Sequence, residues 1–280
     1  MGYNPYKPRA RGLFDPNHTE PYRLSRSKID LFIECPRCFY LDQRLGLPRP
    51  SMPGFTLNNA VDELLKKEFD IHRKDISTHP LMKAYGINAV PFAHKEMETW
   101  RDALRHGIQY YDKKNNIILR GGIDDVWEAS DGKLHIVDYK ATSKKSEITL
   151  SDGYKRQVEI YQWLFKQNGF PVSDTAYFVY ANGKTDNKAF DAKLEFDVCV
   201  MPYTGSNDWI PEVIDHMYQC LIGESVPGKG TSSGNVCEHC DYRETVGKAL
   251  YSLHVQGGKS EKPKTSKKET YEEAQTSTLF

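Results

Sequence analysis

Gly121-Gly122-Ile123-Asp124-Asp125-Val126-Trp127 and, beyond the turn residues Ser130-Asp131-Gly132, Ile136-Val137-Asp138-Tyr139-Lys140 form the stretch whose reading decides the fold. Ile117 to Trp127 and Leu134 to Ala141 are rich in strand formers, and the turn signal between them predicts a hairpin. Residues i and i+2 of a strand share a face, so Asp138 and Lys140 project together while Val137 and Tyr139 enter the opposite layer. A carboxylate and an ammonium amid strand formers are costly in a half-buried sheet unless they pair or bind something. Asp124, on the neighbouring strand, is a second carboxylate able to converge on Asp138. Two acids and one lysine are the parts that metal-assisted phosphodiester hydrolysis requires. The acids hold hard divalent cations, while the lysine orients or activates water and steadies the developing phosphorane charge. The competing account of an isolated Asp-x-Lys is a cross-strand salt bridge at a sheet edge.

Downstream, an amphipathic helix is expected from about Gly153 to Lys166, with Tyr154, Val158, Tyr161 and Phe165 on one side. Gln157 and Tyr161, four apart, share the face turned toward the sheet. A glutamine buried there either holds a metal-bound water or a nucleotide, or simply bonds a strand end. Strands are expected at Thr175 to Tyr180 and Leu194 to Met201. A last helix should span Trp209 to Leu221, and a Gly/Ser loop from Pro227 to Gly234 leads into Cys237.

Upstream, Ser25 or Ser27 can cap a helix carrying Ile29, Phe32 and Ile33, which Cys35-Pro36 interrupts before Phe39, Tyr40 and Leu41 resume it. Leu57, Val61, Leu64, Leu65 and Phe69 make the stripe of a second helix; Met97, Trp100, Leu104, Ile108 and Tyr111 make that of a third. The order implies an α/β fold, a mixed sheet flanked by helices behind a helical N-terminal region. One domain is expected over 23–255, helical over about 23–112, with the sheet over about 115–205 and a helix and cysteine pair over 206–255. A disordered arm (1–22) and tail (256–280) should flank it.

The chain has 280 residues, 39% hydrophobic and 27% charged, which excludes a fibrous or wholly disordered protein. Thirty-eight basic residues cancel thirty-eight acidic ones, so no net field draws the molecule to polyanions or to a membrane surface. Any nucleic-acid contact must be local. Lys144-Lys145, just past the charged strand, and Lys155-Arg156, beside Gln157, are placed to track phosphates, although such pairs also occur as plain solvated surface. No base-reading motif is present, so binding without sequence preference is expected. No apolar run approaches a membrane span, and Met1 to Glu20 lacks the apolar block of a secretory signal. A cytoplasmic location is expected. Tyr6 stands where a myristoylation motif needs Ser or Thr.

Four of the six cysteines form two CxxC pairs, Cys35/Cys38 and Cys237/Cys240. In a reducing compartment, distant CxxC pairs read as a tetrathiolate metal site, because the two intervening residues let both sulfurs reach one ion. Ordinary buried thiols are the bland alternative, and a dithiol redox pair is disfavoured because neither pair stands at a strand-to-helix junction. Cys199 and Cys220 have apolar neighbours and read as core.

Together, Gly121 to Asp124, Asp138-Tyr139-Lys140 and Gln157 to Tyr161 resemble the RecB-like branch of the PD-(D/E)xK nuclease superfamily, including the iron-sulfur CRISPR-associated adaptation nucleases. Leu24 to Ile29 with Cys35 to Leu41 is similar to the segment that delivers the first cluster cysteine in that branch, so the resemblance runs from about Leu24 to Arg243. It implies a restriction-endonuclease-like core. Asp124, Asp138 and the carbonyl of Tyr139 would be ligands for Mg or Mn, with Lys140 as catalytic lysine and Gln157 and Tyr161 as the accessory QxxxY motif. Where such nucleases often place a histidine ligand on the preceding helix, this chain has Asp62, a carboxylate equally able to bind a hard cation. Their iron-sulfur members have one cysteine before the core and three after it; here the division is two and two. Spacing alone favours zinc, the resemblance favours a four-iron cluster, and the cluster is placed ahead.

The expected function is therefore a metal-dependent DNA nuclease, an exonuclease or end-processing enzyme in repair, recombination, or CRISPR or phage DNA processing. The alternative is a noncatalytic nucleic-acid- or protein-binding module on the same fold with a structural zinc. Gln275-Thr276-Ser277-Thr278-Leu279-Phe280 loosely resembles the motifs by which repair proteins dock on sliding clamps, with one residue too many between Gln and Leu.

Overall fold

A strand absent from the sequence reading, β1 (Tyr22–Ser25), leads directly into α1 (Arg26–Glu34). The structure, a computed structural model, describes residues 8–50, 54–232 and 235–257. The expected tail beyond residue 257, with its Gln275–Phe280 motif, lies outside the described residues, as do Met1 to Lys7 of the expected arm. Residues 8–21, also assigned to that arm, carry no helix or strand, yet Phe14 is buried and the Phe14 and Arg9 amides donate to the carbonyls of Gln43 and Gly46. One buried aromatic ring anchors a segment whose composition reads as unstructured.

Cys35 separates α1 from α2 (Pro36–Leu45), which begins on a proline suited to the first helical position and ends at Gly46 in the left-handed region. There follow α3 (Thr56–Lys74), α4 (Pro80–Ala84), β2 (Ala89–Pro91) and α5 (Met97–Arg101). The expected third helix stops at α5. Asp102 Oδ1 accepts the amides of Leu104 and Arg105, and Gly107 (φ 71) sits so close to the Gly121 carbonyl that no side chain fits. Ile108 and Tyr111, read as members of the helical stripe, belong instead to β3 (Ile108–Asp112), and Leu104 is exposed.

The expected strand Ile117 to Trp127 is also two, β4 (Ile117–Gly121) and β5 (Asp125–Ala129), in different sheets. Gly122 passes against the backbone of Ala103, and the Ile123 amide donates to the Trp100 carbonyl, so the chain bends between the two. β6 (Leu134–Thr142) pairs antiparallel with β5 across the Ser130-Asp131-Gly132 turn, with Asp125 opposite Val137. The crossover helix α6 (Asp152–Gln167), capped by Ser151, returns the chain to β7 (Thr175–Gly183), parallel to β6; β8 (Phe196–Thr204) closes that edge. α7 (Ile210–Ile222) and the two-residue strands β9 (Thr231–Ser232) and β10 (Asn235–Val236) complete the first unit, which ends at Cys237. The second unit contributes α8 (Glu238–Gly257).

The fold is thus mixed α/β, with a five-stranded sheet (β2-β5-β6-β7-β8) and a three-stranded sheet (β1-β4-β3), both mixed and both flanked by helices. Alternation along the strands sends Val126, Ile136 and Phe178 into a core with Val158, Leu164 and Phe165 of α6, and Trp127, Val137, Tyr139 and Val179 into a second core with Leu65 and Phe69 of α3. Each large side chain taken wholly out of water contributes about 1.5–3 kcal/mol. The central sheet is therefore clamped on both faces, and the early turns of α3 and α6 meet the end of β6.

Candidate active site

At that meeting point lies a cleft of about 280 Å³ lined by Asp62 of α3, Asp124, Tyr139 and Lys140, and Tyr154 and Gln157 of α6. The structure thus brings together the residues expected from three separate motifs. Asp138 lies at its base, 1% exposed. Gln157 Nε2 donates to Asp138 Oδ1 at 2.7 Å, while Oδ2 meets Lys140 Nζ in an ion pair. Asp124, just ahead of β5, accepts the Tyr139 amide at 2.9 Å through Oδ2. The side chain of Tyr139 points away, its hydroxyl donating to Asp125 Oδ2 at 2.6 Å, so only its backbone belongs to the cleft.

Burial, reinforced by the nearby Asp124 charge and only partly countered by Lys140, lifts the Asp138 carboxyl to about 7. Asp62 is raised too, by burial and then by Asp124. Oxygen donors crowded enough to resist ionisation are the donor set that a hard divalent cation relieves, and the residues fit one. Burial pushes Tyr161 up to about 12. It sits behind the cleft near Arg26, which is paired with Asp30.

The cleft is held by residues that sequence reasoning did not single out. Asp125, fully buried, is met by Arg73, by Arg101 Nη2 at 3.5 Å and by the Tyr139 hydroxyl, and Arg101 Nε donates to the Asp124 carbonyl at 3.1 Å. The second aspartate of the Asp-Asp pair is thus a structural anchor that fixes the backbone of the first. Gly121 is forced: a Cβ there would stand 2.5 Å from Tyr161 Cε1. Lys66, one turn after Asp62, lies 2.6 Å from Asp62 Oδ2 and 3.4 Å from Asp124 Oδ1. Its i+4 spacing from Asp62 was the available signal. Tyr154, read only as part of an apolar stripe, places its ring 4.7 Å from Lys140 Nζ.

The four basic residues expected to track phosphates are not equivalent. Lys144 and Lys145 are exposed, and Lys144 lines a second cavity of about 200 Å³ that shares Lys140, Ala141 and Tyr154 with the cleft. Lys155 pairs with Asp152 at 3.2 Å on an exposed turn. Arg156 is turned to α1, its Nε 2.8 Å from Asp30 Oδ1, where it braces the helix packing.

No cysteine is in a disulfide. Within the first unit, Cys35, Cys38 and Cys237 are buried, with their sulfurs within 4.8 Å of one another. Cys35 Sγ accepts the amides of Cys38 at 3.4 Å and Gly230 at 3.2 Å, and Arg49 Nη2 donates to Cys237 Sγ at 3.5 Å. Gly230 passes against the Cys35 Cα, where no side chain fits. Buried sulfurs surrounded by N–H donors suit thiolates bound to a metal. In the second unit, Cys240 is buried in the first turn of α8. Among the described residues, no helix is long and apolar enough to cross a membrane.

A family model described as the PD-(D/E)XK nuclease superfamily matches residues 56–245. No curated protein matches the chain. Among solved structures, the crystal structure of SSO0001 is similar at a TM-score of 0.35 and 15% identity, over 75% of this chain and 81% of that one.

Proposed function

Because this chain belongs to the PD-(D/E)XK nuclease superfamily, whose members are usually nucleases that use divalent metals, we propose that it is a metal-dependent deoxyribonuclease of the RecB-like branch. The observation that carries the reading is the convergence of Asp124, Lys140 and Gln157 on one cleft, with the buried Asp138 bonded to both Lys140 and Gln157. An exonuclease or end-processing role in DNA repair, recombination, or CRISPR or phage DNA processing is the form of activity proposed.

Asp138, Asp124, the Tyr139 carbonyl and Asp62 would hold Mg or Mn, which supplies Lewis-acid polarisation of the scissile phosphate and an acidified water. Gln157 fixes the Asp138 carboxylate through Oδ1. Lys140, held between Asp138 and the Tyr154 ring, orients the attacking water and offsets charge on the phosphoryl oxygens. Tyr161 supports the Gly121 bend from behind. Lys144 and Lys145, and more weakly Lys155, hold neighbouring phosphates.

For the cysteines we propose that Cys240, by its CxxC spacing, completes a set with Cys35, Cys38 and Cys237 that holds an iron-sulfur cluster, with zinc as the alternative. Cys38 and Cys237 are 199 residues apart, so a shared metal closes a very long loop and stabilises rather than catalyses. The test is cleavage of end-labelled linear and closed circular DNA by anaerobically purified protein with Mg, Mn or chelator. Metal-dependent cutting of linear DNA that spares circles is expected. Failure to cut either with both metals would leave a noncatalytic binding module.

A further inference from the structure

Lys66 has no role in the reading above, yet it occupies the cleft's most contested position. Its ammonium lies 2.6 Å from Asp62 Oδ2 and 3.4 Å from Asp124 Oδ1. Asp62 and Lys66 stand one turn apart on the same face of α3, so the side chain cannot leave Asp62 without giving up an i,i+4 pair. Asp124 uses Oδ2 to accept the Tyr139 amide. Its other oxygen is the one facing Lys66. Asp62, although it lines the cleft, therefore shares a bound monocation with Asp124. Asp138 is held by Gln157 and Lys140.

We propose that Lys66 is a built-in cation that competes with bound metal for the Asp62 and Asp124 carboxylates, so the cleft takes a single divalent ion and not two. The inference rests on the nuclease reading and fixes the number of metal ions that site uses. Charge agrees with it: three carboxylates against two ammonium groups leave one formal negative charge, enough for one divalent cation but poor for a pair.

Removing the charge should open the second position. Lys66→Met keeps the apolar stem along α3 and deletes the ammonium; Lys66→Arg keeps a cation and serves as the folding and charge control. The probe is Mn²⁺ alone, counted by electron paramagnetic resonance and titration calorimetry on the full chain, with circular dichroism to confirm folding. One Mn²⁺ is expected in the native protein and in Lys66→Arg. Lys66→Met should take two, or bind the first at least about tenfold more tightly, because a competing cation about 3 Å from the ligands is gone. Two ions in the native protein, or unchanged stoichiometry and affinity in a folded Lys66→Met, would overturn the proposal. Should Asp138→Asn leave Mn²⁺ binding intact, the metal site itself fails, an outcome separate from the count.

Discussion

Gln157 donates from α6 to Oδ1 of Asp138 at 2.7 Å, so one side-chain hydrogen bond links the crossover helix to the strand that carries the charged pair. Asp138 is nearly sealed from water, and this burial, with the nearby Asp124 charge, lifts its carboxyl to about 7. A carboxyl raised on folding favours the native state most below its unfolded value, and that contribution is lost as pH rises through 7. A divalent cation reverses the sign, since it binds only the ionised form. Mn²⁺ affinity should therefore rise by up to about tenfold per pH unit between about pH 5 and 7 and level off above. Calorimetry across this range checks it; a flat profile would detach Asp138 from the metal.

Among the described residues Lys140 is the only ammonium paired with Asp138, and its charge also lies over the Tyr154 ring. Lys140→Ala should keep the circular dichroism spectrum and DNA binding while lowering the cleavage rate by about 10²–10³-fold, the scale of losing one preorganised charge at a reacting phosphate. Tyr154→Ala should cost roughly tenfold through the lost cation–π contact, and Tyr154→Phe should restore most of it, because the ring and not the hydroxyl faces the ammonium. Single-turnover rates on one end-labelled substrate separate these cases.

The charged strand and the crossover helix are legible in the sequence because each rests on local chemistry: a turn signal at Ser130-Asp131-Gly132, alternation along β6, and a serine cap before α6. What hides is long-range. Met97, Trp100, Leu104, Ile108 and Tyr111 fit a helical period, but Asp102 ends the helix and Gly107 must yield to the Gly121 carbonyl, a contact no local pattern encodes. The same bend splits β4 from β5 and carries Asp124 out of the ladder, free to cap the Tyr139 amide. Asp125 and Lys66 are likewise invisible as single letters, since their roles depend on Arg73 and Arg101 in one case and on Asp124 in the other.

Gly121 tests that bend directly. A methyl group at this position meets the Tyr161 ring at 2.5 Å, within a core that has Leu164 close by. Gly121→Ala should destabilise the protein by about 1–3 kcal/mol, the usual cost of overpacking, read as a lower urea midpoint with unchanged slope. Pairing it with Tyr161→Leu should recover part of the loss because the obstructing ring is removed. Equal destabilisation in single and double variants would locate the strain elsewhere.

The cysteine centre predicts a stability effect separable from catalysis. Cys35 Sγ accepts two backbone N–H groups and Cys237 Sγ accepts Arg49, the outer contacts that suit metal-bound sulfur. Anaerobic protein should be brown, with iron and sulfide in equal amounts; colourless protein with one zinc per chain would select the alternative. Cys35→Ser or Cys237→Ser should lose the metal and lower Tm by roughly 5–10 °C, as a loss of about 3 kcal/mol does in a domain of this size. Any protein that remains folded should still bind Mn²⁺, because Asp62, Asp124 and Asp138 are carried by α3 and the central hairpin and not by the cysteine segments. A variant that keeps its Tm after losing the metal would show that the long loop is closed by packing alone.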